Sequence, residues 1–167
     1  FSLRDSQTDP GITQPISPLR SGSPDSLVRW DTLGRQGRNF TSGGPTVADI
    51  TAVTQGTAIE PIRVYVGLKT ADTLQERAEI ALNELQRTGA FDRKILIVAT
   101  TTGTGWLDPG AVDTVEYLHN GDTAIVGLQY SYLPSWISLF VDQQITKDTA
   151  HATLLAVHDY WTSLPED

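Results

Sequence analysis

Three apolar runs, spaced about thirty residues apart, constrain the fold of this chain more than any other feature. They are IRVYVGL (62–68), KILIVAT (94–100) and TAIVGLQYSY (123–132). Each is rich in β-branched and aromatic residues and carries few charges, the pattern of a strand buried on both faces. Amphipathic segments separate and follow them. In DTLQERAEIALNELQRTGA, Leu74, Ala78, Ala81, Leu82 and Leu85 share one helical face. Thr73 and Glu76 have capping-box spacing there, and Gly89 marks the stop. DPGAVDTVEYLHNG opens on Pro109 and closes at Gly121, which predicts a helix of about three turns. TKDTAHATLLAVHDYWTSL places Ala150, Leu154, Val157 and Trp161 on one face of a third helix. The order β-α-β-α-β-α predicts an α/β fold, a parallel sheet between two helical layers. Three strands make a small sheet, and the last helix leads to no further strand, so the three-layer unit reads as incomplete within this chain.

The first sixty residues read differently. Residues 1–29 are dominated by Ser, Pro, Gly and Asp, a composition that buries too little surface to offset its own ordering entropy. An extended arm or linker lying on a neighbour is expected there, with the domain proper spanning 30–167. WDTLGRQGRNFTSGGP (30–45) reads as an ordered but irregular loop. Its Arg35 and Arg38 could take a phosphate or a carboxylate, and a salt bridge to the protein's own surface is the simpler use. Asn39-Phe40-Thr41 fits a glycosylation sequon that is common by chance. Thr46 and Asp49 can cap a short helix over TVADITAVTQ. The chain has no methionine and starts at Phe1, from which a piece of a longer protein is expected.

Composition removes several function classes. A net charge of -8 argues against nucleic acid as a partner, since phosphate binding needs clustered Lys and Arg. Without cysteine there is no disulfide, zinc-thiolate site or thiol nucleophile. No apolar run is long enough to cross a membrane as a helix, and no signal-peptide pattern occurs. His151 and His158 share a helix face, but no H-E-x-x-H is present and no third ligand suggests itself. His119 falls at a helix end, where a cation suits the dipole. No metal and no cofactor are expected.

Ligands of open α/β sheets bind beyond the carboxyl ends of the strands. One such end is VATTTGTGWLDPG (98–110), where an apolar run stops in threonines and two glycines. Gly103 and Gly105 permit a sharp turn that exposes N–H groups, and Thr101 and Thr102 add hydroxyls, a combination suited to stabilising an anion. From composition alone, a plain turn made by Gly103 and Gly105 is the favoured reading. A dinucleotide fingerprint fails because Asp108 stands where a third glycine is needed, and no Gly-Lys pair exists for a P-loop. SYLPSWISLFVD (131–142) is too apolar for an ordinary surface loop. It reads as core beneath an absent part of the domain, with a substrate wall or a membrane-facing surface as alternatives.

WDTLGRQGRNFTSGGPT, EPIRVYVGL, the long stretch from LQRTGAFDRKILIVATTTGTGWLDPG through SYLPSWISLFVD, and the closing YWTSLPED together resemble an actinobacterial family of membrane-anchored α/β-hydrolases. The resemblance spans about residues 27–167. It implies that residues 94–100 form the strand before the oxyanion loop, that Thr101, Thr102, Gly103 and Gly105 belong to that loop, and that a nucleophile elbow follows Asp167. No G-x-S-x-G occurs in the chain, and in this fold the acid and histidine come after the serine. The resemblance therefore places the whole Ser/His/acid triad beyond Asp167. Ser135, His151 and His158 do not substitute for it. Tyr130, Tyr132 and Trp136 are candidate substrate-pocket residues. The implied partners are the remainder of the hydrolase domain, on the same chain or a second one, and a small-molecule ester. Membrane attachment would come only through a segment outside this chain. The oxyanion loop lacks the H-G-G-G form of many esterases, so its assignment rests on position. A non-catalytic α/β binding or interaction module, with residues 1–29 docking a partner, is the competing reading; a nucleotide-binding domain is a weaker third.

Overall fold

A computed structural model describes residues 2–133, 137 and 143–165. Three strands form one parallel sheet: β1 (Ile62–Val66), β2 (Ile95–Thr100) and β3 (Thr123–Leu128). β3 is central, pairing Ile62 with Ala124 on one side and Ile95 with Thr123 on the other. The helices are α1 (Ser2–Asp5), α2 (Gly34–Ser42), α3 (Val47–Thr54), α4 (Leu74–Thr88), α5 (Pro109–Leu118) and α6 (Gln143–Ser163). α4 and α6 lie side by side, α4 against β1 and β3 and α6 against β2, while α2 packs on β1 and α5 on β3. Arg63 and Tyr65 point toward α2 and α5, so the pleat turns Ile62, Val64 and Val66 the other way. The core is buried Ile62, Val64, Val66, Ala78, Ala81, Leu85, Ala124, Ile125, Val126 and Leu128. This is the three-layer α/β arrangement that the strand spacing predicts.

The local signals explain where the helices start and stop. Thr73 and Glu76 form a reciprocal capping box at α4, as Thr46 and Asp49 do at α3. Gly89 ends α4 in the left-handed conformation. Asp108 caps α5 by accepting from the Gly110 N–H, with Pro109 in the first turn, which gives that carboxylate a structural use. α2 departs from the sequence expectation, since residues 34–42 are helical rather than irregular. Packing outweighs the low propensity of its glycines: Phe40 and Thr41 are buried, and a Cβ on Gly37 would sit 2.5 Å from the Tyr65 ring.

Residues 2–29 lie on the domain. Arg20 bridges Arg63 across the outer edge of β1, through Arg63 N to Leu19 O (3.2 Å) and Ser21 N to Arg63 O (3.0 Å). Arg35 and Arg38 hold the arm as well. Arg35 Nε donates to Asp9 Oδ1 (2.7 Å), and Arg38 Nη2 donates to the carbonyls of Asp5 (2.9 Å) and Gln7 (2.6 Å). A second anchor is Glu84 on α4, fully buried, which accepts from Ser21 Oγ, Ser26 Oγ, the Leu27 N–H and Arg87. Burial pushes the Glu84 carboxyl pKa up, but the bonds from Arg87, Leu27 and Ser21 outweigh it and hold the group below the usual carboxylate range. A depressed folded-state pKa stabilises the fold above the ordinary value of 4.5 and loses that contribution as pH falls through the folded pKa. Hydrogen exchange at the Leu27 amide, corrected for its intrinsic pH dependence, should therefore accelerate below that value while β3 amides stay protected. Glu84→Gln should cost about 2 kcal/mol at neutral pH, the worth of hydrogen bonds to a buried charge, as read from urea unfolding.

Candidate functional site

The carboxyl ends of β1, β2 and β3 open onto one side of the molecule, and the 101–106 loop leaves β2 there. Its internal bonds define its shape. The Thr101 hydroxyl donates to Leu128 O (2.7 Å), tying the loop's start to the end of β3. Thr102 is the centre of the turn: its N–H donates to Trp106 O (3.0 Å), and its carbonyl accepts from the Gly105 N–H (2.8 Å). Its Oγ1 accepts from the Trp106 N–H (3.2 Å). An oxygen that accepts from an N–H keeps its own proton to donate, so Thr102 carries a hydroxyl donor at the strand end. Gly105 has a φ of +89°, the left-handed region that glycine occupies without strain. Its missing side chain also matters, because a Cβ there would stand 2.1 Å from Tyr65 Oη.

Two residues that sequence reasoning did not single out support this loop from below. Tyr65, fully buried in β1, donates its hydroxyl to Gly105 O (2.7 Å). Burial pushes its phenol pKa well above the usual value, and the nearby Asp5 carboxylate adds to the effect, so it stays protonated and acts as a donor. Gln129, also buried, is the first residue after β3; its Nε2 donates to Thr104 O (3.3 Å). The signals were present but faint. One is a phenol in a run buried on both faces, which needs a hydrogen-bond partner; the other is an amide that ends the apolar run TAIVGL.

Tyr130 is buried and lines a crevice with Thr101, Leu128 and α6 that holds only about 10 Å³. Tyr132 is half-buried; burial raises its phenol pKa, with Asp5 adding to the rise and Arg77 opposing it. Trp136 and Ser135 lie outside the described residues, as does most of the apolar 131–142 stretch. The larger opening is a mostly apolar groove of about 430 Å³ along β2 and α6, where Leu96, Val98, Leu154, Val157 and Trp161 are joined by Arg93, Lys94 and His158. Trp161 and Leu154 remain more than half exposed in it, although they share the helical face whose Val157 is buried. Among the described residues β2 pairs only with β3, leaving its outer edge open, whereas the arm covers the corresponding edge of β1.

Comparison with known families decides the class of this fold. Residues 62–167 match an alpha/beta-hydrolase family, and residues 1–45 match the N-terminus described for that family. The chain belongs to the alpha/beta-hydrolase family. No curated protein and no solved structure matches it. The family match covers the sheet, the 101–106 loop and α6, and the match to the family's N-terminus covers the arm and α2. Among the described residues, no group of three or more His, Asp or Glu side chains is arranged to hold a metal ion, and no helix is long and apolar enough to cross a membrane.

Proposed function

We propose that this chain forms the oxyanion side of a serine ester hydrolase whose Ser/His/acid triad lies on residues beyond Asp167. The observation that carries the reading is the position of the 101–106 loop, at the carboxyl end of an edge strand whose outer side has no partner among the described residues. In an α/β-hydrolase the strand before the oxyanion loop is followed by helix, strand and helix before the nucleophile, and α5, β3 and α6 supply that order. α6 runs back to the start of β2, where the Tyr160 ring meets Phe91 at a centroid distance of 4.6 Å. A chain continuing from there can add a parallel strand to β2 and bring a nucleophile up beside Thr101 to Gly105. The same strand would cover the apolar groove and the exposed face of Trp161.

In this reading Thr102 supplies a hydroxyl donor to the oxyanion, and Gly103 and Gly105 let the backbone approach the reacting carbonyl. Tyr130, Tyr132 and Trp136 border the acyl group, and the substrate is a small ester. Membrane attachment, through a segment outside residues 1–167, belongs to the same reading by resemblance alone. The test compares the 167-residue chain with a longer chain of the same protein. The longer chain should hydrolyse a p-nitrophenyl ester and be labelled by a fluorophosphonate, and the shorter one should do neither. Labelling of the shorter chain would put the nucleophile inside it, and an inert longer chain would remove the serine-hydrolase assignment.

A further inference from the structure

We propose that Gln129, together with Tyr65, is a positioning residue for the turn that carries the Thr102 hydroxyl, and that Asp5 of the N-terminal arm helps orient Gln129. This rests on the oxyanion reading above and deepens it. Gln129 is 1% exposed, and its one amide joins four segments. Nε2 shares its two protons among Thr104 O (3.3 Å), Asp5 Oδ1 (3.1 Å) and Ser131 O (3.1 Å), while Oε1 accepts from the Leu68 N–H (3.3 Å). Asp5 Oδ1 also accepts from the Arg35 N–H (3.2 Å). A carboxylate and a carbonyl can only accept, so Asp5, with the Thr104 and Ser131 carbonyls, sets Nε2 on this side of the Gln129 amide and leaves Oε1 for the Leu68 N–H.

The consequence for Thr102 follows from peptide geometry. In a planar trans peptide the N–H points opposite to the preceding carbonyl. Gln129 draws the Thr104 carbonyl inward, which turns the Gly105 N–H outward to Thr102 O. Tyr65 draws the Gly105 carbonyl inward, which turns the Trp106 N–H to Thr102 Oγ1. Two consecutive carbonyls are thus anchored from the core, and two consecutive N–H groups grip Thr102. The network holds the turn that presents the Thr102 hydroxyl and makes Asp5 of the arm part of the site's support. A buried amide adds little net stability over an apolar side chain, so orientation is the use that accounts for it.

The first experiment uses the 167-residue chain and does not depend on activity. Gln129→Met should raise hydrogen exchange at the Gly105 and Trp106 amides about tenfold, and Asp5→Ala by about threefold, with β1 and β3 amides unchanged. Unchanged loop exchange, or a rise spread evenly over the sheet, would overturn the proposal. Should Gln129→Met fail to fold, Asp5→Ala decides the same question, because Asp5 lies in the arm and outside the sheet. The second experiment uses the chain extended beyond Asp167. There Gln129→Met should lower kcat for a p-nitrophenyl ester at least tenfold, with KM changed by less than about twofold, the signature of an effect on the transition state. A matched loss in KM, or an unaltered kcat, would contradict the positioning role. If the unmutated extended chain is inactive, the hydrolase reading fails and the exchange measurement alone judges the network.

Discussion

Arg63→Met should destabilise the protein by about 3–5 kcal/mol, the cost of leaving a buried carboxylate unpaired. Arg63 is 2% exposed near the start of β1, on the face toward α2 and α5, and each of its guanidinium nitrogens has a partner. Nε and Nη2 grip Glu116 at 2.8 and 2.7 Å, Nη2 also meets Asp113 at 2.6 Å, and Nη1 donates to Phe40 O at 2.8 Å. The cation lies 4.9 Å above the Phe40 ring. Burial works to lower its pKa, and Glu116 and Asp113 more than offset that. The methionine variant removes the cation and strands Glu116, which is fully buried. For a chain of this length, Tm should fall by roughly 10 °C. The double variant Arg63→Met/Glu116→Leu should recover most of the loss, because an apolar pair does not carry the desolvation cost of the ions. Urea unfolding of the three proteins checks this, and a single-variant cost below about 1 kcal/mol would show that Glu116 finds another partner.

On the oxyanion reading proposed above, Gly105→Ala should be the most damaging single substitution within residues 1–167 for hydrolase activity. The added methyl would meet Tyr65 Oη at 2.1 Å and Gln129 Cγ at 3.0 Å, at a φ of +89° that alanine tolerates poorly. The loop must move to accommodate it, and the two carbonyl anchors are lost together. Removing one oxyanion donor costs about a hundredfold to a thousandfold in kcat, and the same range is expected here in the extended chain. Stability should fall by only about 1–3 kcal/mol, since the strain is local. Tyr65→Phe combined with Gly105→Ala removes the closest clash and should restore part of the stability without restoring the rate. Parallel measurement of kcat and Tm separates the two effects.

The strands, helices and caps were legible because each is a local pattern. Thr73 with Glu76, Gly89 and Pro109 act where the sequence places them, while the Asp108 cap emerged only in the structure. α2 was not legible, because Gly34 and Gly37 oppose a helix and only contact with Tyr65 and the arm makes one there. The arm's attachment was hidden for a related reason. Its composition is that of a linker, and it is held by single long-range bonds such as Glu84 to Leu27 and Asp5 to Gln129. At the site, the position of the 101–106 loop followed from strand order. The inward supports at Tyr65 and Gln129 did not, since no spacing links residues brought together only by the assembled sheet.

A crystal structure of the chain extended beyond Asp167, carrying a covalent fluorophosphonate adduct, tests the central claim most directly. A strand should pair with the open edge of β2, and the phosphonyl oxygen should lie within about 2.7–3.1 Å of a donor from Thr101 to Gly105. A β2 edge left unpaired, or an adduct whose phosphonyl oxygen sits away from this loop, would contradict the account.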